Sequence, residues 1–237
     1  MISVCMATYN GARFIKEQID SILPQLAPDD ELIISDDGST DGTVDIIESY
    51  SDERIRLLKG NAFHSPIYNL ENAMKTAHGD YIFLSDQDDE WAKDKVSVCM
   101  EHLKSCDLLV HNAEVVDGDG NRIAESFFRL NHTRNGRLHN LLKNGYIGCC
   151  MCFTKRLLES FLPLPRGLPM HDIYIGNYAA FNEYKIRFID DRLIRYRRHG
   201  ANASLTVDKS RRQISARLMD RYIIIKILLC KKANAGY

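Results

Sequence analysis

Short apolar runs alternate with amphipathic segments through the first hundred residues, and this alternation restricts the fold more than any other feature of the chain. The runs are rich in β-branched and aromatic residues, as buried strands are, and the segments between them have apolar residues at helical spacing. Strands are predicted at 2–8, 31–35, 55–58 and 81–84, and helices at 14–23, 43–50, 66–77 and 93–104. Apolar strands separated by helices pack as a parallel sheet covered on both faces. The sequence therefore predicts an α/β fold with a mostly parallel sheet and helices on both faces.

The pattern is less regular beyond residue 105. Apolar runs predict strand segments at 108–110 and 115–116, and apolar periodicity predicts helices near 138–142, at 155–161 and at 172–181. Two alternating segments, 186–189 and 193–196, are typical of exposed or edge strands. The Cys-rich run at 147–153 has no second Cys or His pair at the spacing of a structural zinc site. We interpret this run as a buried segment.

Composition excludes several classes of protein. The 237 residues are 45% hydrophobic and 27% charged, which suits one domain or one domain with an appendage. The net charge of −1 does not attract the whole chain to nucleic acid, and no nucleic-acid partner is expected. The start lacks the basic region of a signal peptide, and no stretch of about 18 uncharged apolar residues predicts a membrane span. The seven Cys lie mostly in apolar runs, which favours a reducing, cytoplasmic location.

Residues 205–237 are predicted to form a basic, amphipathic C-terminal helix. From Lys209 onward the sequence has eight Lys or Arg residues and one acidic residue, Asp220, and its apolar residues recur at helical spacing. Two interpretations are open: the apolar stripe packs on the domain, or the helix rests on anionic lipid at the inner face of the plasma membrane. We favour the second, as a peripheral contact with the inner leaflet.

Polar side chains are concentrated directly after three of the predicted strands, at 9–10, 36–39 and 86–89. In open α/β sheets ligands bind beyond the carboxyl ends of the strands, so these clusters are expected to face a common crevice. Asp86 and Asp88 are two residues apart, and carboxylates held close together favour a hard cation such as Mg²⁺ or Mn²⁺. The alternative is a solvated acidic loop in which Asp89 caps the following helix. No Gly-x-Gly-x-x-Gly follows the first strand and no Walker-type Gly-Lys-Ser/Thr occurs, which disfavours a dehydrogenase or a P-loop protein.

Three motifs in this order carry a resemblance to a known family. Thr8-Tyr9-Asn10, Ile34-Ser35-Asp36-Asp37-Gly38-Ser39-Thr40-Asp41 and Phe83-Leu84-Ser85-Asp86-Gln87-Asp88-Asp89 resemble the motif series of the family 2 glycosyltransferases, which have the nucleotide-sugar-binding GT-A fold. The resemblance continues more loosely to about Ser204. Its later part, 169–174 and 196–202, is similar to bacterial members that build surface polysaccharides, including rhamnosyltransferase-like ones. It implies a GT-A domain at 1–204, with a nucleotide-sugar-binding half at 1–105 and an acceptor-binding half at 106–204.

The resemblance also implies a role for each matching residue. The donor would be bound by Ala7, Thr8, Tyr9, Asp36 and Asp86, the metal by Asp88 with His199, and Asp172 would be the catalytic base. Two positions depart from the family pattern. Ser35 stands where a hydrophobic residue is more common, and His171-Asp172 stands where Glu-Asp is more common.

Three further residues are expected at the acceptor: Trp91, Gly148 and His171. Trp91 can stack on a sugar ring, or it can anchor the core under the helix that follows it. Gly148 lets backbone approach the sugars closely. Other readings stay open for two of the residues above, because Asp172 can be the N-cap of a helix beginning at Ile173 and His199 can belong to a basic edge strand.

Together with these residues, the resemblance implies an inverting, metal-dependent glycosyltransferase. It would move a hexose or deoxyhexose from a UDP- or dTDP-sugar to a hydroxyl of a bacterial surface glycan, free or lipid-linked, with Mg²⁺ or Mn²⁺ as cofactor. One alternative is a Mg-dependent sugar nucleotidyltransferase, although residues 10–13 make a poor triphosphate loop. Another is a non-catalytic phospho-acceptor signalling domain, which would need only about half this length and no Asp172.

Overall fold

The computed structural model describes residues 1–200 and 214–234, with side chains of the second range described at 218–229. The strands of the described chain are β1 (Ile2–Thr8), β2 (Glu31–Asp36), β3 (Ile55–Leu58), β4 (Tyr81–Ser85), β5 (Glu90–Trp91), β6 (Leu108–Asp117), β7 (Arg122–Ala124), β8 (Met151–Thr154) and β9 (Ile186–Arg198). The helices are α1 (Ile15–Ile22), α2 (Thr43–Glu48), α3 (Pro66–Lys75), α4 (Lys95–Leu103), α5 (Phe127–Asn131), α6 (Arg137–Leu142), α7 (Lys155–Phe161), α8 (His171–Phe181) and α9 (Ile214–Asn234). The strands and helices predicted for the first hundred residues are confirmed, apart from the short β5, which was not predicted.

The described strands form one mixed sheet in the order β3-β2-β1-β4-β8-β6-β9-β5, and β7 pairs with β6. Neighbours from β3 to β4 are parallel, as are β6 and β9, and these pairs contain most of the paired residues. The strand β8 runs antiparallel to both of its neighbours, β4 and β6. The sheet is therefore mostly parallel, and the α/β prediction is confirmed.

The Cys-rich run of the sequence is a central element of this sheet. Cys152 and Phe153 belong to β8, and both are fully buried between β4 and β6. The prediction of a buried segment is confirmed, and the free thiols of Cys149, Cys150 and Cys152 are part of the core.

The segments 186–189 and 193–196, predicted as exposed or edge strands, are two parts of one strand. Among the described strands the first part is paired only with β6, as an edge segment is, whereas the second part is also paired with β5 and is mostly buried. One continuous strand, β9, pairs with β6 on one side and with β5 on the other. Leu193, Ile194 and Tyr196 are buried. The alternating pattern arises because the strand has one face against the core and one toward solvent.

The ends of β1, β2 and β4 lie at the same edge of the sheet. Thr8 at the end of β1 is paired with Asp36 at the end of β2, and Ser85 at the end of β4 is paired with Met6. The polar residues that follow these strands are therefore neighbours in space. At the other end of the chain, α9 packs against α8. The predicted boundary between residues 204 and 205 lies outside the described residues.

Candidate active site

A cavity of about 900 Å³ lies beyond the carboxyl ends of β1, β2 and β4. Its walls include the starts of α3 and α8 and parts of α6 and α9. The sequence-predicted residues that line it are Ala7, Thr8, Tyr9, Asp86, Asp88, Gly148, His171 and Asp172. Residues assigned to the donor, the metal, the acceptor and the base thus share one space.

The side-chain amide of Gln87 joins the loop after β4 to the loop after β1. Its Oε1 accepts from the backbone N–H of Tyr9 at 2.9 Å, and its Nε2 donates to the Tyr9 carbonyl at 3.1 Å. A Cβ at Gly11 would lie 2.3 Å from Oε1 of Gln87, so the amide in this position occupies space that a side chain at residue 11 would take. The amide fixes the half-exposed Tyr9 at the cavity wall.

Asp36 and Asp37 have different positions although they are adjacent. Asp36 is 1% exposed and does not itself line the cavity. Its carboxylate accepts from the Thr8 hydroxyl at 3.0 Å and from the Ser39 backbone N–H at 2.9 Å, so it holds the turn after β2. Asp37 does line the cavity, and its carboxylate accepts from the backbone N–H of Ser65 at 3.0 Å. The sequence predicted Asp36 as the donor-binding carboxylate, whereas Asp37 is the one of the two that lies at the cavity wall.

A group of close carboxylates follows β4. Burial and the neighbouring charge of Asp88 raise the pKa of Asp86 to about 7. Burial and the charges of Asp88 and Asp86 also raise the pKa of Asp89 well above its ordinary value. Ligand atoms of Asp86, Asp89 and Cys149 lie within 4.8 Å of one another. Burial raises the pKa of the Cys149 thiol, so the thiol stays protonated beside these carboxylates. Repelling carboxylates of this kind fit a hard divalent cation.

His199 and Arg197 connect the end of β9 to this acidic loop. Nε2 of His199 lies 2.7 Å from Oδ2 of Asp88. The guanidinium of Arg197 donates to the Asp88 carbonyl at 2.9 Å, and its backbone N–H donates to the Asp89 carboxylate at 2.9 Å. His199 does not itself line the cavity, but it contacts the carboxylate that does. The sequence prediction placed His199 with Asp88, and the two are in contact.

Asp172 lies in the first turn of α8 and lines the same cavity. Burial, together with the charge of Asp86, raises the pKa of Asp172 to about 7. Its Oδ1 accepts from the backbone N–H of Ile173 at 2.6 Å. The helix begins at His171 and its N-cap is Met170, so Asp172 is not the N-cap of a helix beginning at Ile173.

His171 stands beside Asp172 with its ring against Gly148. The ring is 7% exposed, and neither of its nitrogens has a hydrogen-bond partner among the described residues. Burial lowers the pKa of His171 to about 4, so the ring is neutral near pH 7 and has one donor and one acceptor nitrogen. A Cβ at Gly148 would lie 2.4 Å from Nε2 of His171. Gly148 therefore makes room for the imidazole.

A family model decides the class of protein. The model described as "Glycosyl transferase family 2" matches residues 3–162, which include the three strand-end clusters described above. The chain belongs to glycosyl transferase family 2. It is a glycosyltransferase with the GT-A fold, and the nucleotidyltransferase and phospho-acceptor alternatives are set aside.

Named relatives of this glycosyltransferase come from bacteria. TuaG of Bacillus subtilis (strain 168), assigned to teichuronic acid biosynthesis, is 30% identical over 73% of this chain and 69% of its own length. WfgD of Escherichia coli, named as a UDP-Glc:α-D-GlcNAc-diphosphoundecaprenol β-1,3-glucosyltransferase, is 29% identical over 70% of this chain and 64% of its own length.

A solved structure shows the same fold. The crystal structure of S. aureus TarS residues 1–349 in complex with UDP-GlcNAc has a TM-score of 0.72 and 20% sequence identity, covering 100% of this chain and 67% of that one. The chain thus spans about two thirds of the length of each of these three proteins.

Trp91 of this glycosyltransferase lies in the core rather than at the cavity. Its side chain is 3% exposed, its ring centroid is 5.9 Å from that of Phe83, and Nζ of Lys95 lies 3.9 Å from its ring centroid. A sugar cannot stack on a face that is already covered in this way. Of the two interpretations given above, the structure favours the core anchor.

Sequence reasoning missed several residues of the site. The buried Lys95 donates to the carbonyl of Cys149 at 3.0 Å, and its charge favours the ionised form of Asp86. Asn69 lines the cavity and donates to the Thr8 carbonyl at 3.0 Å, while its buried Oδ1 has no partner among the described residues. Arg221 of α9 also lines the cavity. Of these residues, only Lys95 could have been found from the sequence, because it is a lysine at a position where the helical periodicity of α4 has buried apolar residues.

Proposed function

We propose that this enzyme is an inverting, metal-dependent glycosyltransferase that moves a hexose or deoxyhexose from a UDP- or dTDP-sugar to a hydroxyl of a surface glycan. One observation carries the proposal. The Asp172 carboxylate lines the same cavity as Asp86 and Asp88, close enough for the charge of Asp86 to raise its pKa. A base and a cation-binding group in one space are the two functions that glycosyl transfer from a nucleotide sugar requires.

Asp88 and Asp86, with His199 behind Asp88, are the residues that would hold Mg²⁺ or Mn²⁺. When bound, the ion would neutralise the negative charge that develops on the departing nucleoside diphosphate. The chain supplies two supports for this site. The Asp88 carbonyl and the Asp89 carboxylate accept hydrogen bonds from Arg197, and the buried Cys149 thiol lies beside Asp86 and Asp89. These contacts hold the carboxylates in place although their charges repel.

Asp172 is proposed to accept the proton of the acceptor hydroxyl. A base works best when its pKa is near the working pH, and burial places that of Asp172 at about 7. The hydrogen bond from the Ile173 N–H to Oδ1 fixes the orientation of this carboxylate at the cavity wall. Attack on the face of the sugar opposite the diphosphate inverts the anomeric carbon, and this reaction needs one carboxylate rather than the pair used in glycoside hydrolysis.

His171 and Gly148 are proposed to position the acceptor. The neutral imidazole has an N–H and an acceptor nitrogen without partners among the described side chains, one residue from the base. A buried polar group of this kind gains free energy when a ligand hydroxyl satisfies it. The resulting hydrogen bond would aim the hydroxyl at Asp172.

The names of the relatives indicate the class of donor and acceptor. WfgD is named for UDP-Glc as donor and a diphosphoundecaprenol-linked acceptor, and TuaG is named for teichuronic acid biosynthesis. By this analogy the acceptor is a growing surface glycan on a lipid carrier at the inner face of the plasma membrane, reached from the cytoplasm. Within the described residues, no helix is both long and apolar enough to cross a membrane.

The experiment is a screen of nucleotide sugars for release of nucleoside diphosphate. UDP-glucose, UDP-galactose, UDP-N-acetylglucosamine and dTDP-rhamnose are each tested with Mg²⁺, with Mn²⁺ and with a chelator, in the presence of a membrane lipid extract. We expect one donor to be consumed with metal and none with the chelator. The Asp88→Ala variant should be inactive and the exposed Asp94→Ala variant active. Turnover that persists both in the presence of the chelator and in the Asp88→Ala variant would contradict the proposal.

A further inference from the structure

The C-terminal helix α9 has two apolar surfaces, and only one of them packs on the rest of the described chain. Ile224 and Leu228 are buried, at 0% and 8% exposure. Leu218, Tyr222 and Leu229 are 61%, 60% and 64% exposed, and they recur at the spacing that places residues on one side of a helix. A helix that only packed on the domain would have polar residues along this second side.

The exposed stripe borders the mouth of the active-site cavity. Arg221 and Ile224 line the cavity, and Nε of Arg221 donates to the carbonyl oxygen of Leu142 at 2.7 Å, which joins α9 to the end of α6. Leu142 also lines the cavity and is 65% exposed, so the cavity meets solvent at this residue. We define the α6–α9 patch as Leu142, Leu218, Met219, Tyr222, Ile225 and Leu229, all at least 40% exposed.

Positive charge is concentrated in the two segments that carry the patch. Residues 126–144 contain four Lys or Arg and no acidic residue, and residues 209–237 contain eight against one. The whole chain nevertheless has a net charge of −1, so the remaining surface is acidic. The exposed Lys226 stands beside the stripe on α9 itself.

We propose that the α6–α9 patch docks on an anionic lipid bilayer, with α9 lying in the plane of the interface. An exposed apolar stripe with basic neighbours is the combination that binds anionic membrane surfaces, because apolar burial and electrostatic attraction act together. This orientation brings the mouth of the cavity to the lipid surface. The purpose of the docking, access to a lipid-linked acceptor, rests on the proposed function, whereas the docking itself does not.

A second copy of this chain fits the patch less well. Pairing two such patches would bring two strongly basic segments together, and juxtaposed like charges oppose association. An anionic surface satisfies both the apolar and the charged parts of the patch. Self-association is therefore an outcome of the test that would count against the proposal.

The test measures co-flotation of the full chain with vesicles of phosphatidylcholine alone and of phosphatidylcholine with about one third phosphatidylglycerol. The patch variant is Tyr222→Glu, and the matched control is Ile123→Glu, which places the same charge at a residue of β7 that is 54% exposed, against 60% for Tyr222. We expect the unaltered chain and the control to float with the anionic vesicles. Binding to the anionic vesicles should be at least tenfold weaker for the patch variant than for the unaltered chain. Binding of the unaltered chain should also fall at least tenfold when the vesicles are neutral or the salt concentration is high.

Two readouts separate this proposal from the proposed function. UDP or dTDP binding, followed by thermal shift, should be equal in the patch variant and the control, which shows that both are folded. Failure of the anionic vesicles to bind the unaltered chain, equal flotation of the patch variant, or a dimer in sedimentation velocity that the patch variant abolishes would each overturn the docking proposal. Absence of transfer with every donor would overturn the proposed function and leave the flotation result standing.

Discussion

Nε2 of His199 lies 2.7 Å from Oδ2 of Asp88, so the end of β9 contacts the acidic loop that follows β4, 111 residues earlier in the chain. The Phe14 ring covers the imidazole with a centroid separation of 4.9 Å. Two segments that are distant in sequence thus hold one carboxylate in a fixed position. The contact couples the last strand of the sheet to the proposed metal site.

The first prediction concerns this pair. We expect His199→Ala to raise the metal concentration that gives half-maximal transfer by 10- to 100-fold, since an outer partner that orients a metal ligand contributes on this scale. The measurement is a titration of nucleoside diphosphate release against Mn²⁺. Asp94→Ala, which removes an exposed carboxylate six residues from Asp88, is the control and should leave the curve unchanged. If His199→Ala has the same half-maximal Mn²⁺ concentration as the parent enzyme, the contact between His199 and Asp88 does not contribute to metal binding.

The second prediction concerns the space at Gly148. An Ala side chain there would meet the His171 imidazole at 2.4 Å, so Gly148→Ala should displace the ring and lower kcat/KM for the acceptor by at least tenfold. In the His171→Ala background the same substitution has room and should cost little more. Steady-state kinetics of the two single variants and the double variant give the interaction directly. Additive losses would show that the glycine acts on something other than the ring.

The first half of the fold was predictable because its signals are local. Val4, Ile33 and Phe83 lie in strands that are buried on both faces, and such strands are continuous apolar runs in the sequence. The order of the clusters after β1, β2 and β4 then placed Asp86 and Asp88 at one edge. The run at 147–153 likewise predicted a buried segment, but its place as β8 depends on the two strands that flank it.

The remaining differences arise from tertiary contacts that no local pattern contains. The polar residues at 190–192 divide β9 into two apparent strands, yet Asp190 accepts from the Asn112 side chain at 2.6 Å where the register shifts. Which of Asp36 and Asp37 reaches the cavity depends on the turn that follows them, in which Gly38 has a φ of 82°. The contribution of Arg221 to the cavity depends on its bond to Leu142.

The third prediction is a stability effect of Asp86 with a defined pH dependence. Its pKa is raised from 3.8 to about 7 on folding, so the folded state is penalised as the pH rises from about 4 to 7, and the penalty is constant above that range. Asp86→Asn should therefore stabilise the metal-free protein at pH 8 by roughly 2–4 kcal/mol, at about 1.4 kcal/mol for each pKa unit. The gain should disappear near pH 4. Urea unfolding at both pH values measures it, and Asp94→Asn is the exposed control.

The fourth prediction follows from the pKa of Asp172. Because burial raises that pKa to about 7, the carboxylate is protonated and unable to act as a base at lower pH. We expect kcat/KM to fall about tenfold for each pH unit below 7 and to level off above it. Asp172→Asn should lower kcat by roughly 10²–10⁴-fold while donor binding is retained.

The pH profile of the Asp172→Asn variant separates the base from its neighbour, because Asp86 titrates in the same range. If Asp172 is the base, the residual activity of the variant should depend less steeply on pH below 7 than the activity of the parent enzyme does. If Asp172 only accepts the Ile173 N–H within the first turn of α8, the variant should keep the parent profile and most of its kcat. Initial rates between pH 5.5 and 8.5 at saturating metal distinguish the two outcomes.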